Sequence, residues 1–437
     1  MMNYYDYLKN NGVNVKYINS FDKESDIRIF LKNISYKEIN IYNPVDNWLE
    51  KRILSSCLKK NIKINIHENP LFLTKKSDLT PFFSPTKKKL FQTSFYKNQR
   101  IKFNILLNNE NKPEGGKWTY DDLNRKKYPK NKKTPIIDYS FLKSTNYNDS
   151  IKYVSKYFSK NYGEINDSQL YPSDFETSKE WFNNFLKTRF NEFGIYEDAI
   201  LINESVINHS ILSPLLNSGL LDPKYIIEKS IKFYEKNNIP LNSIEGFIRQ
   251  IFWRNYMMTI YMIENPIIKI KYEISIIYDK LWNYKTNMYP IDSMIKTYIL
   301  PYAYSHHITR LMYFGNFFKL CLLKNDIIYR WFMEAFIDAY SWVMYGNVYG
   351  MILNKIKIMT KNYIASSNYI FKMSNFKNIN NWKEIFDALY YNYINENYEE
   401  LKSDYGLRYQ LVYWKKKTNK QEIINIANNY IKKLKNI

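Results

Sequence analysis

Residues 304–312 read Tyr-Ser-His-His-Ile-Thr-Arg-Leu-Met, and the fold of the chain depends on them. They hold two of the four histidines and stand at the head of a long apolar and aromatic region. Apolar residues recur at helical spacing over residues 294–323 and again over 327–345, which predicts two long helices. We expect the rest of the chain to be organised around this helix pair and the pocket that it lines.

The composition favours a helical protein with an anionic partner. At 437 residues the chain is long enough for two domains with sizeable cores. The 11 glycines and 14 prolines are few for turn-rich β structure and favour long helices. The 64 basic and 42 acidic residues give a net charge of +22, which favours a polyanion such as nucleic acid. General surface basicity in a lysine-rich proteome is the alternative.

Cysteine content and hydropathy exclude several classes of protein. Cys57 and Cys321 are too few for a disulfide framework or a four-thiolate metal site. The most apolar window, 251–263, contains Arg254 and is too short to span a bilayer. Polar residues interrupt the N-terminal stretch, so we expect no signal peptide. We therefore expect a soluble protein of the cytoplasm, the nucleoid or a host-cell interior, with no membrane partner. We also expect a monomer.

The N-terminal region alternates between strand and helix patterns, which predicts a parallel α/β sheet. A helix at 4–11 precedes the first strand, whereas such a unit normally begins on a strand. We therefore expect a truncated α/β domain over residues 1–75. The predicted strands are 13–18, 38–42 and 62–66, and the predicted helices between them are 23–32 and 45–60.

Beyond residue 75 the pattern changes twice. Residues 76–150 are polar and basic, and prolines interrupt any long helix there, so we expect a linker between domains. Residues 151–437 show helical periodicity and predict an all-α domain. Its clearest helices are predicted at 182–193, closed by Gly194, and at 243–263 and 382–396.

A polar segment, His-Ser-Ile-Leu-Ser-Pro at residues 209–214, comes just ahead of a predicted helix. Hydroxyls and unpaired backbone N–H groups in that position form an anion site, because the amides and the helix dipole both favour phosphate. An ordinary helix cap is the alternative.

Gln250, Trp253 and Arg254 lie within one turn of a predicted helix. An amide, an indole and a guanidinium together suit a stacked, hydrogen-bonding ligand such as a base. A core tryptophan beside a structural ion pair is the alternative interpretation.

Several motifs, in order along the chain, resemble one family. They are Phe-Gly-Ile-Tyr-Glu-Asp-Ala at 193–199, then 210–221, 240–250, 306–312, Asp-Ala-Tyr at 338–340, and 368–374. In the N-terminal half, Phe95, Tyr96 and Arg100 and the segment 115–121 fit the same pattern. Together they resemble the cryptochrome/photolyase superfamily, in particular its iron–sulfur bacterial branch, the prokaryotic (6-4) photolyases. The resemblance covers nearly the whole chain.

The resemblance implies that the helical domain binds FAD. Arg310 and Asp338 would form a salt bridge beside the flavin ring, while Tyr196 and the segment 210–213 would hold the phosphates. The residues implied to bind FAD are Tyr196, Ser210, Ile211, Leu212, Ser213, Gln250, Arg254, Arg310, Asp338 and Met344.

The resemblance also implies repair of UV-damaged DNA, with the damaged dinucleotide flipped out of the stack to reach the cofactor. His307 matches the histidine that protonates the lesion in (6-4) photolyases, and His306 stands beside it. Without the resemblance, adjacent histidines are more often structural or half of a metal site. Trp331 and Trp282 fall where the branch keeps tryptophans that relay electrons to the flavin, with core packing as the alternative. The residues implied to face the lesion are Gln250, Trp253, Tyr369 and Lys372.

The chain departs from the branch at several positions. The branch carries four cysteines that ligate an iron–sulfur cluster, and those positions here hold Pro290, Lys377, Asn380 and Glu384. We therefore expect neither the cluster nor another metal. Met344 stands where the branch usually has a carboxylate near flavin N5, which puts the redox tuning in doubt. The expected truncation removes much of the pocket for a lumazine-type antenna chromophore and puts that cofactor in doubt as well.

The expected architecture is a partial α/β domain, a basic linker and an all-α, photolyase-like FAD domain. The expected function is light-driven repair of pyrimidine (6-4) photoproducts by electron transfer from reduced FAD. A flavin photoreceptor that signals without repair is favoured by Met344 and by the missing cluster cysteines. Cyclobutane-dimer repair, and an inactive homologue that still binds DNA, are further alternatives.

Overall fold

Helices dominate the chain, and one small sheet lies near its N-terminus. The computed structural model describes residues 1–75, 78, 91–268, 276–359 and 362–436. The first elements are α1 (Met2–Asn10), α2 (Ile27–Asn33), β1 (Glu38–Tyr42), α3 (Asn47–Lys59), β2 (Lys63–His67), α4 (Gln92–Lys102), α5 (Tyr147–Tyr157), α6 (Phe175–Thr188), α7 (Ser213–Asn217), α8 (Pro223–Lys236) and α9 (Leu241–Glu264).

The later helices surround the stretch at 304–312. They are α10 (Ile276–Trp282), α11 (Tyr289–Met294), α12 (Leu300–Tyr302), α13 (Asn316–Leu320), α14 (Asn325–Ala335), α15 (Ser341–Tyr345), α16 (Ser367–Met373), α17 (Trp382–Glu396), α18 (Tyr398–Leu401), α19 (Arg408–Lys416) and α20 (Lys420–Lys435). Short 3-10 turns lie at Lys23–Ser25, Glu114–Gly116, Asp121–Leu123, Phe190–Glu192 and Tyr405–Leu407. Turns of π-helix lie at Ile295–Ile299, Thr309–Gly315 and Gly346–Ile352.

Strands β1 and β2 pair in parallel, with Glu38 opposite Lys63, and α3 makes the crossover between them. The predicted strands 38–42 and 62–66 and the predicted helix 45–60 are thus confirmed, with small shifts at their ends. The sequence signal was local here, because each element has its own apolar pattern and is bounded by turn residues.

The prediction of a strand at residues 13–18 is wrong. Those residues form no regular element, and Tyr17 packs its ring against Tyr5 of α1, with ring centroids 5.8 Å apart. An alternating pattern makes a strand only where a neighbouring strand takes up its backbone N–H and C=O groups. The predicted helix 23–32 is present as a 3-10 turn followed by the shorter α2.

Helix α9 joins the two large hydrophobic cores of the helical region. Its first half contributes Phe247 and Phe252 to a core that includes Trp181 of α6. Its second half contributes Tyr256 and Ile260 to a core that includes α13, α14 and α17. The predicted helices 243–263 and 382–396 are confirmed as α9 and α17. Within the described part of the chain, no helix combines the length and the apolar character needed to cross a bilayer.

The prediction of one continuous helix over 294–323 is wrong. The chain leaves the helix after α12, where Ala303 adopts a left-handed φ of 47°, and helical structure resumes at His307. The buried carbonyl of Ser305 in this break accepts a hydrogen bond of 2.7 Å from Nε of Arg310. A side chain one turn ahead therefore satisfies the interrupted backbone.

The predicted helix 327–345 is also interrupted, between α14 and α15. The backbone N–H of Ile337 in this second break donates to the carbonyl of Ala303 in the first at 2.9 Å. The two breaks therefore meet, and they carry Arg310 and Asp338 into contact. Neither break has a proline or glycine that would have marked it in the sequence.

Part of the predicted linker packs into the helical region. Helix α4 buries Phe95 and Tyr96, and the hydroxyl of Tyr96 donates to Oε1 of Glu245 on α9 at 2.9 Å. Arg100 is also buried and donates to backbone carbonyls, including that of Ile105 at 3.2 Å. Residues 76, 77 and 79–90 of this segment lie outside the described residues. The division at residues 75 and 150 stays a prediction.

The helix predicted to run to Gly194 ends earlier, at Thr188, and a 3-10 turn follows it. Gly194 has a different role from a helix terminator. A Cβ atom on Gly194 would lie 2.8 Å from the backbone oxygen of Asn242. The Gly194 N–H donates a hydrogen bond of 3.0 Å to Oγ of Ser243. Glycine is therefore needed where this loop touches the start of α9.

Candidate functional site

Arg310 and Asp338 form a bidentate ion pair where the two helix breaks meet. The guanidinium donates to the two carboxylate oxygens at 2.8 and 3.0 Å, and both side chains are largely buried. Arg310 also lies over the ring of Phe336, 4.0 Å from its centroid. Two parallel hydrogen bonds fix the orientation of both groups, so this pair is a rigid point of the site.

Helix α7 is tied to the same ion pair. Oγ of Ser213 donates to Oδ2 of Asp338 at 2.5 Å, and Nδ2 of Asn217 donates to the Asp338 carbonyl at 2.9 Å. Sequence reasoning missed Asn217, although it stands four residues after Ser213 and hence on the same helical face. Asp338 is thereby held by three residues from two separate segments.

The loop before α7 is supported from the core. Ile211 has a left-handed φ of 52°, and its side chain and that of Leu212 are buried. The Ser210 carbonyl accepts a hydrogen bond of 2.8 Å from the indole of Trp181. Any ligand contact from Ile211 and Leu212 must therefore come from the backbone. Tyr196 lies apart from this loop and packs its buried ring 4.8 Å from Tyr128.

His306 lies in a buried stack with a third histidine. Its ring is nearly parallel to that of His209, with centroids 4.3 Å apart and an angle of 11°. Both ring nitrogens of His209 face backbone carbonyls, of Val206 and Glu197, each at 2.9 Å. Burial lowers the pKa of His306 well below its usual value, and the neighbouring His209 lowers it further. His306 is therefore neutral.

His307 has different surroundings from His306. It is only partly buried, and its ring lies 6.2 Å from that of Trp253 on α9. Loss of hydration lowers the pKa of His307 to about 4, with a contribution from the positive charge of Arg310. The imidazole is therefore neutral at neutral pH in the free protein.

Arg254 is buried without a carboxylate partner among the described residues. Its guanidinium donates to Oδ1 of Asn217 at 2.8 Å, to the Leu216 carbonyl at 3.1 Å and to the Leu71 carbonyl. It also stacks over the ring of Trp342, 4.9 Å from the centroid. Burial lowers the pKa of Arg254 to about 9. The site thus contains a positive charge that the surrounding protein does not neutralise.

Gln250 belongs to a charged cluster rather than to the surroundings of Arg254. Its amide donates to Oε1 of Glu197 at 2.5 Å. Arg249, which sequence reasoning missed, pairs with Glu197 and Glu245 at 3.3 Å each. Asp198 follows Glu197 in the chain, and its pKa is raised to about 7 by burial and by the negative charge of Glu197.

The residues predicted to face a lesion are not all in one place. Burial raises the pKa of Tyr369, and the charge of Asp198 adds to the effect, which places Tyr369 near the charged cluster. Lys372, on the same short helix α16, is exposed. Trp253 instead lies beside His307. Tyr369 and Gln250 therefore share the charged cluster, while Trp253 belongs with the histidine.

An aromatic path leads away from the ion pair. Trp331 is fully buried, and its ring lies 5.8 Å from Phe336, which Arg310 covers. On the other side, Trp331 lies 5.8 Å from Trp282 at an angle of 38°. Met344 is buried in the same hydrophobic core.

Some of the buried polar groups without hydrogen-bond partners lie in the stretch at 304–312 or on helices of the same region. Within the described residues, they include Oγ of Ser305, both ring nitrogens of His306, Oγ1 of Thr309, the indole N–H of Trp253 and Oδ1 of Asn347. Each buried polar group left unpaired costs about 1–3 kcal/mol. Their concentration on neighbouring elements indicates a surface suited to a ligand that offers several donors and acceptors.

The structure gives no metal centre among the residues that it describes, since no three ligating side chains converge there. A cavity of about 560 Å³ is lined by Arg125, Glu192, Ile195 and Asn242, with neighbours from the same loops. None of its lining residues is among those predicted to bind a cofactor. We therefore place the candidate site at the ion pair and not at this cavity.

Comparisons with known proteins find a photolyase-related family, a photolyase and a viral protein that are similar to this chain. A family described as deoxyribodipyrimidine photo-lyase-related protein matches residues 1–170. A (6-4) photolyase from Agrobacterium fabrum is 28% identical over 441 residues, covering 95% of this chain and 85% of that protein. Uncharacterized protein R855 of Acanthamoeba polyphaga mimivirus is 41% identical over 121 residues, covering 27% of this chain and 97% of the viral protein.

One solved structure supports the architecture. A bacterial class III photolyase from Agrobacterium tumefaciens superimposes with a TM-score of 0.50 and 13% identity, covering 95% of this chain and 83% of that one. This likeness shows the fold. The predicted fold class, an α/β region with a parallel sheet followed by an all-α photolyase-like region, is confirmed.

Proposed function

We propose that the chain, which is similar to deoxyribodipyrimidine photolyase-related proteins over residues 1–170 and to a (6-4) photolyase, belongs to the cryptochrome/photolyase superfamily and uses light to repair pyrimidine (6-4) photoproducts in DNA. The aligned (6-4) photolyase from Agrobacterium fabrum supports this choice of lesion. The net charge of +22 supports DNA as the partner, because basic side chains that neutralise phosphates release counterions.

The observation that carries the proposal is the group of unpartnered polar atoms beside the Arg310–Asp338 pair. FAD presents ring nitrogens and oxygens, hydroxyls and phosphates, so it can pair with donors and acceptors alike. Arg254 adds a buried positive charge that matches an anionic diphosphate. The residues present therefore fit FAD.

We assign the holding roles by position. Arg310 and Asp338 would orient the flavin ring, since their bidentate contact leaves them little freedom. Arg254 and the backbone of residues 210–213 would hold the phosphates, with Tyr196 at the outer end. Gln250, whose amide bonds to Glu197 in the charged cluster, would also contact FAD. When bound and reduced, FAD supplies the electron that light drives into the lesion.

His307 would supply the proton for repair. Its pKa of about 4 makes it neutral in the free protein, so it must gain a proton when the substrate binds. A DNA phosphate near the ring would raise the pKa of His307, because negative charge favours the imidazolium. The charged imidazole can then donate its N–H to the lesion oxygen that migrates back.

The remaining residues would bind and orient the flipped base. Trp253 offers an aromatic face close to His307 on which a base can stack. Tyr369 and Gln250 would contact it from the charged cluster, and the exposed Lys372 would contact a phosphate. His306 would support His307 from the buried stack. Trp331 and Trp282, which lie 5.8 Å apart, would carry electrons towards the cofactor site.

A flavin photoreceptor without repair activity is the second candidate, favoured by one observation. Met344 is buried and apolar where the branch usually has a carboxylate near the flavin. Cyclobutane-dimer repair, which needs no proton donor at His307, is a third outcome of the test below.

The test is a repair assay with the purified, FAD-loaded protein. Oligonucleotides with a single (6-4) photoproduct or a single cyclobutane dimer are incubated under blue light and in the dark. We expect light-dependent loss of the (6-4) product only. Repair of the dimer alone would change the assigned lesion, and repair of neither, in a protein that is photoreduced and binds DNA, would favour the photoreceptor.

A further inference from the structure

The aromatic path from Trp331 does not stop at Trp282. The ring of Tyr162 is stacked on Trp282, with centroids 4.9 Å apart and an angle of only 3° between the planes. Trp331 is fully buried and Trp282 is 5% exposed, whereas Tyr162 is 44% exposed. The three rings therefore form a continuous line from the core to solvent.

We propose that Tyr162 is the surface end of this relay, giving one electron to oxidised Trp282 and its phenolic proton to Asp279. The proposal rests on the function proposed above, because the initial oxidant is a light-excited, oxidised flavin at the Arg310–Asp338 site. It adds a residue to the relay and assigns the acceptor of the proton.

The ring geometry favours Tyr162 over the other tyrosine that touches Trp282. Tyr278 meets Trp282 edge-on, at 6.4 Å and 69°, and is buried. Tyr162 is closer, lies parallel and is open to solvent. Close parallel contact gives the larger overlap of the two π systems, and exposure lets a soluble reductant reach the phenol.

The proton has a defined destination. The hydroxyl of Tyr162 lies 3.5 Å from Oδ1 of Asp279, and the same carboxylate oxygen accepts a hydrogen bond of 2.8 Å from Asn283. Burial and the negative charge of Asp279 raise the pKa of Tyr162, so the phenol keeps its proton until it is oxidised. An oxidised phenol is a strong acid, and the carboxylate is placed to take its proton.

The electron balance is complete with one external reductant. Trp331 gives an electron towards the flavin site and is refilled by Trp282, which is refilled by Tyr162. The phenoxyl radical left on Tyr162 is neutral, because its proton has moved to Asp279. A soluble thiol returns one hydrogen atom to the phenoxyl oxygen, and Asp279 releases its proton to water.

The loop that carries Tyr162 is fixed to the end of α12. Gly163 has a φ of 113°, the N–H of Glu164 donates to the Leu300 carbonyl at 2.9 Å, and Nδ2 of Asn166 donates to the Pro301 carbonyl at 2.9 Å. These contacts hold the ring of Tyr162 against Trp282. The placement is therefore built into the backbone and does not depend on a free surface side chain.

The first test uses the FAD-loaded protein and three variants. After blue illumination without reductant and rapid freezing, electron paramagnetic resonance should give a neutral tyrosyl signal in the parent. We expect Tyr162→Phe and Trp282→Phe to lose the signal and the matched control Tyr278→Phe to keep it. An unchanged signal in Tyr162→Phe, or its loss in Tyr278→Phe instead, would overturn the proposal.

A second test does not need the cofactor. Ultraviolet photo-oxidation of tryptophan in the cofactor-free protein produces indole radicals, whose decay into tyrosyl radicals is followed by transient absorption. We expect a lower tyrosyl yield in Tyr162→Phe than in the parent or in Tyr278→Phe; equal yields would refute the role of Tyr162. If the parent binds no flavin, the proposed function fails, and this measurement still decides on Tyr162.

Discussion

Two buried arginines that are connected through Asn217 and Asp338 have opposite surroundings. Arg310 meets the carboxylate of Asp338 in a bidentate pair, and Ser213 and Asn217 hold that aspartate in place. Arg254 has only neutral oxygens around it in the described part of the chain, and burial lowers its pKa to about 9. Among the residues that the structure describes, one charge has a carboxylate partner and the other has none.

This difference between the two arginines distinguishes an ion pair that stabilises the fold from a charge that is suited to bind a ligand. A buried ion pair whose carboxylate accepts three hydrogen bonds from the protein is complete without a ligand. A buried cation with neutral partners lowers the stability of the free protein, and so do the unpartnered groups of Ser305, His306 and Thr309; a ligand that pairs with these groups removes that cost. Substitutions on the two sides should therefore have opposite effects on folding and on ligand binding.

The largest effect on stability should come from breaking the Arg310–Asp338 ion pair. Asp338→Ala leaves Arg310 buried without its partner and should lower the free energy of unfolding by about 3–5 kcal/mol. Denaturant unfolding followed by circular dichroism measures it. Glu38→Ala, which breaks the exposed pair with Lys63, is the control and should change little. A loss for Asp338→Ala as small as the control would show that the pair is not part of the scaffold.

In the proposed lesion site, His307→Ala should reduce repair by about 10²–10⁴-fold, which is the usual contribution of a general acid. Flavin content and DNA affinity should persist, because Arg254 and the ion pair are unchanged. His306→Ala is the neighbouring control and should reduce repair less, since its ring is in the buried stack with His209. Repair yields at saturating DNA compare the two. Equal repair by His307→Ala and the parent would remove the proton-donor role and favour the cyclobutane dimer as substrate.

Arg254→Met should separate folding from binding. Removing a buried charge that lacks a carboxylate partner should leave the stability of the flavin-free protein unchanged or slightly higher. FAD affinity should fall by about 10- to 100-fold, as for lost hydrogen bonds to a charged group. Titration calorimetry with FAD gives the affinity, and Arg254→Lys is the control that keeps the charge. If Arg254→Met destabilises the protein as Asp338→Ala does, the contrast between the arginines is wrong.

The smallest effect concerns pH. Because the pKa of Asp198 is raised to about 7, the folded protein binds this proton more tightly than the unfolded chain does. The resulting stability is present below the unfolded pKa and is lost as pH rises through about 7. Glu197, Asp121, Arg125 and Arg249 face the same carboxylate. With Asp198→Asn, the unfolding midpoint should fall less steeply as the pH rises from about 5 to 8. An unchanged slope would show that the neighbouring charged groups, and not Asp198, cause the fall.

The sequence predicted elements whose signals are local. Strands β1 and β2 and helices α9 and α17 follow from periodicity and turn residues alone. The breaks around Ala303 and Asp338 could not be predicted, because hydrogen bonds between distant segments stabilise them. Tyr17 shows the reverse case, an alternating stretch that finds no partner strand.

In the candidate site, too, some residues could be predicted from the sequence and others are found only in the folded structure. Arg310 and Asp338 were predicted from the family resemblance, and the structure brings them together. The partners of Arg254 and the places of Asn217 and Arg249 depend on packing between α7 and α9, and no spacing in the sequence indicates them. Trp253 and His307 were predicted separately, and only the fold shows that they are neighbours.

The central claim is that the unpartnered polar groups around residues 304–312 form a flavin site. Its most direct measurement is the visible spectrum of the purified protein, with the flavin released by denaturation and quantified per chain. We expect a yellow protein with equimolar FAD, and a marked loss of FAD in Arg254→Met at unchanged helical content. A colourless parent with full helical content that takes up no added FAD would contradict it.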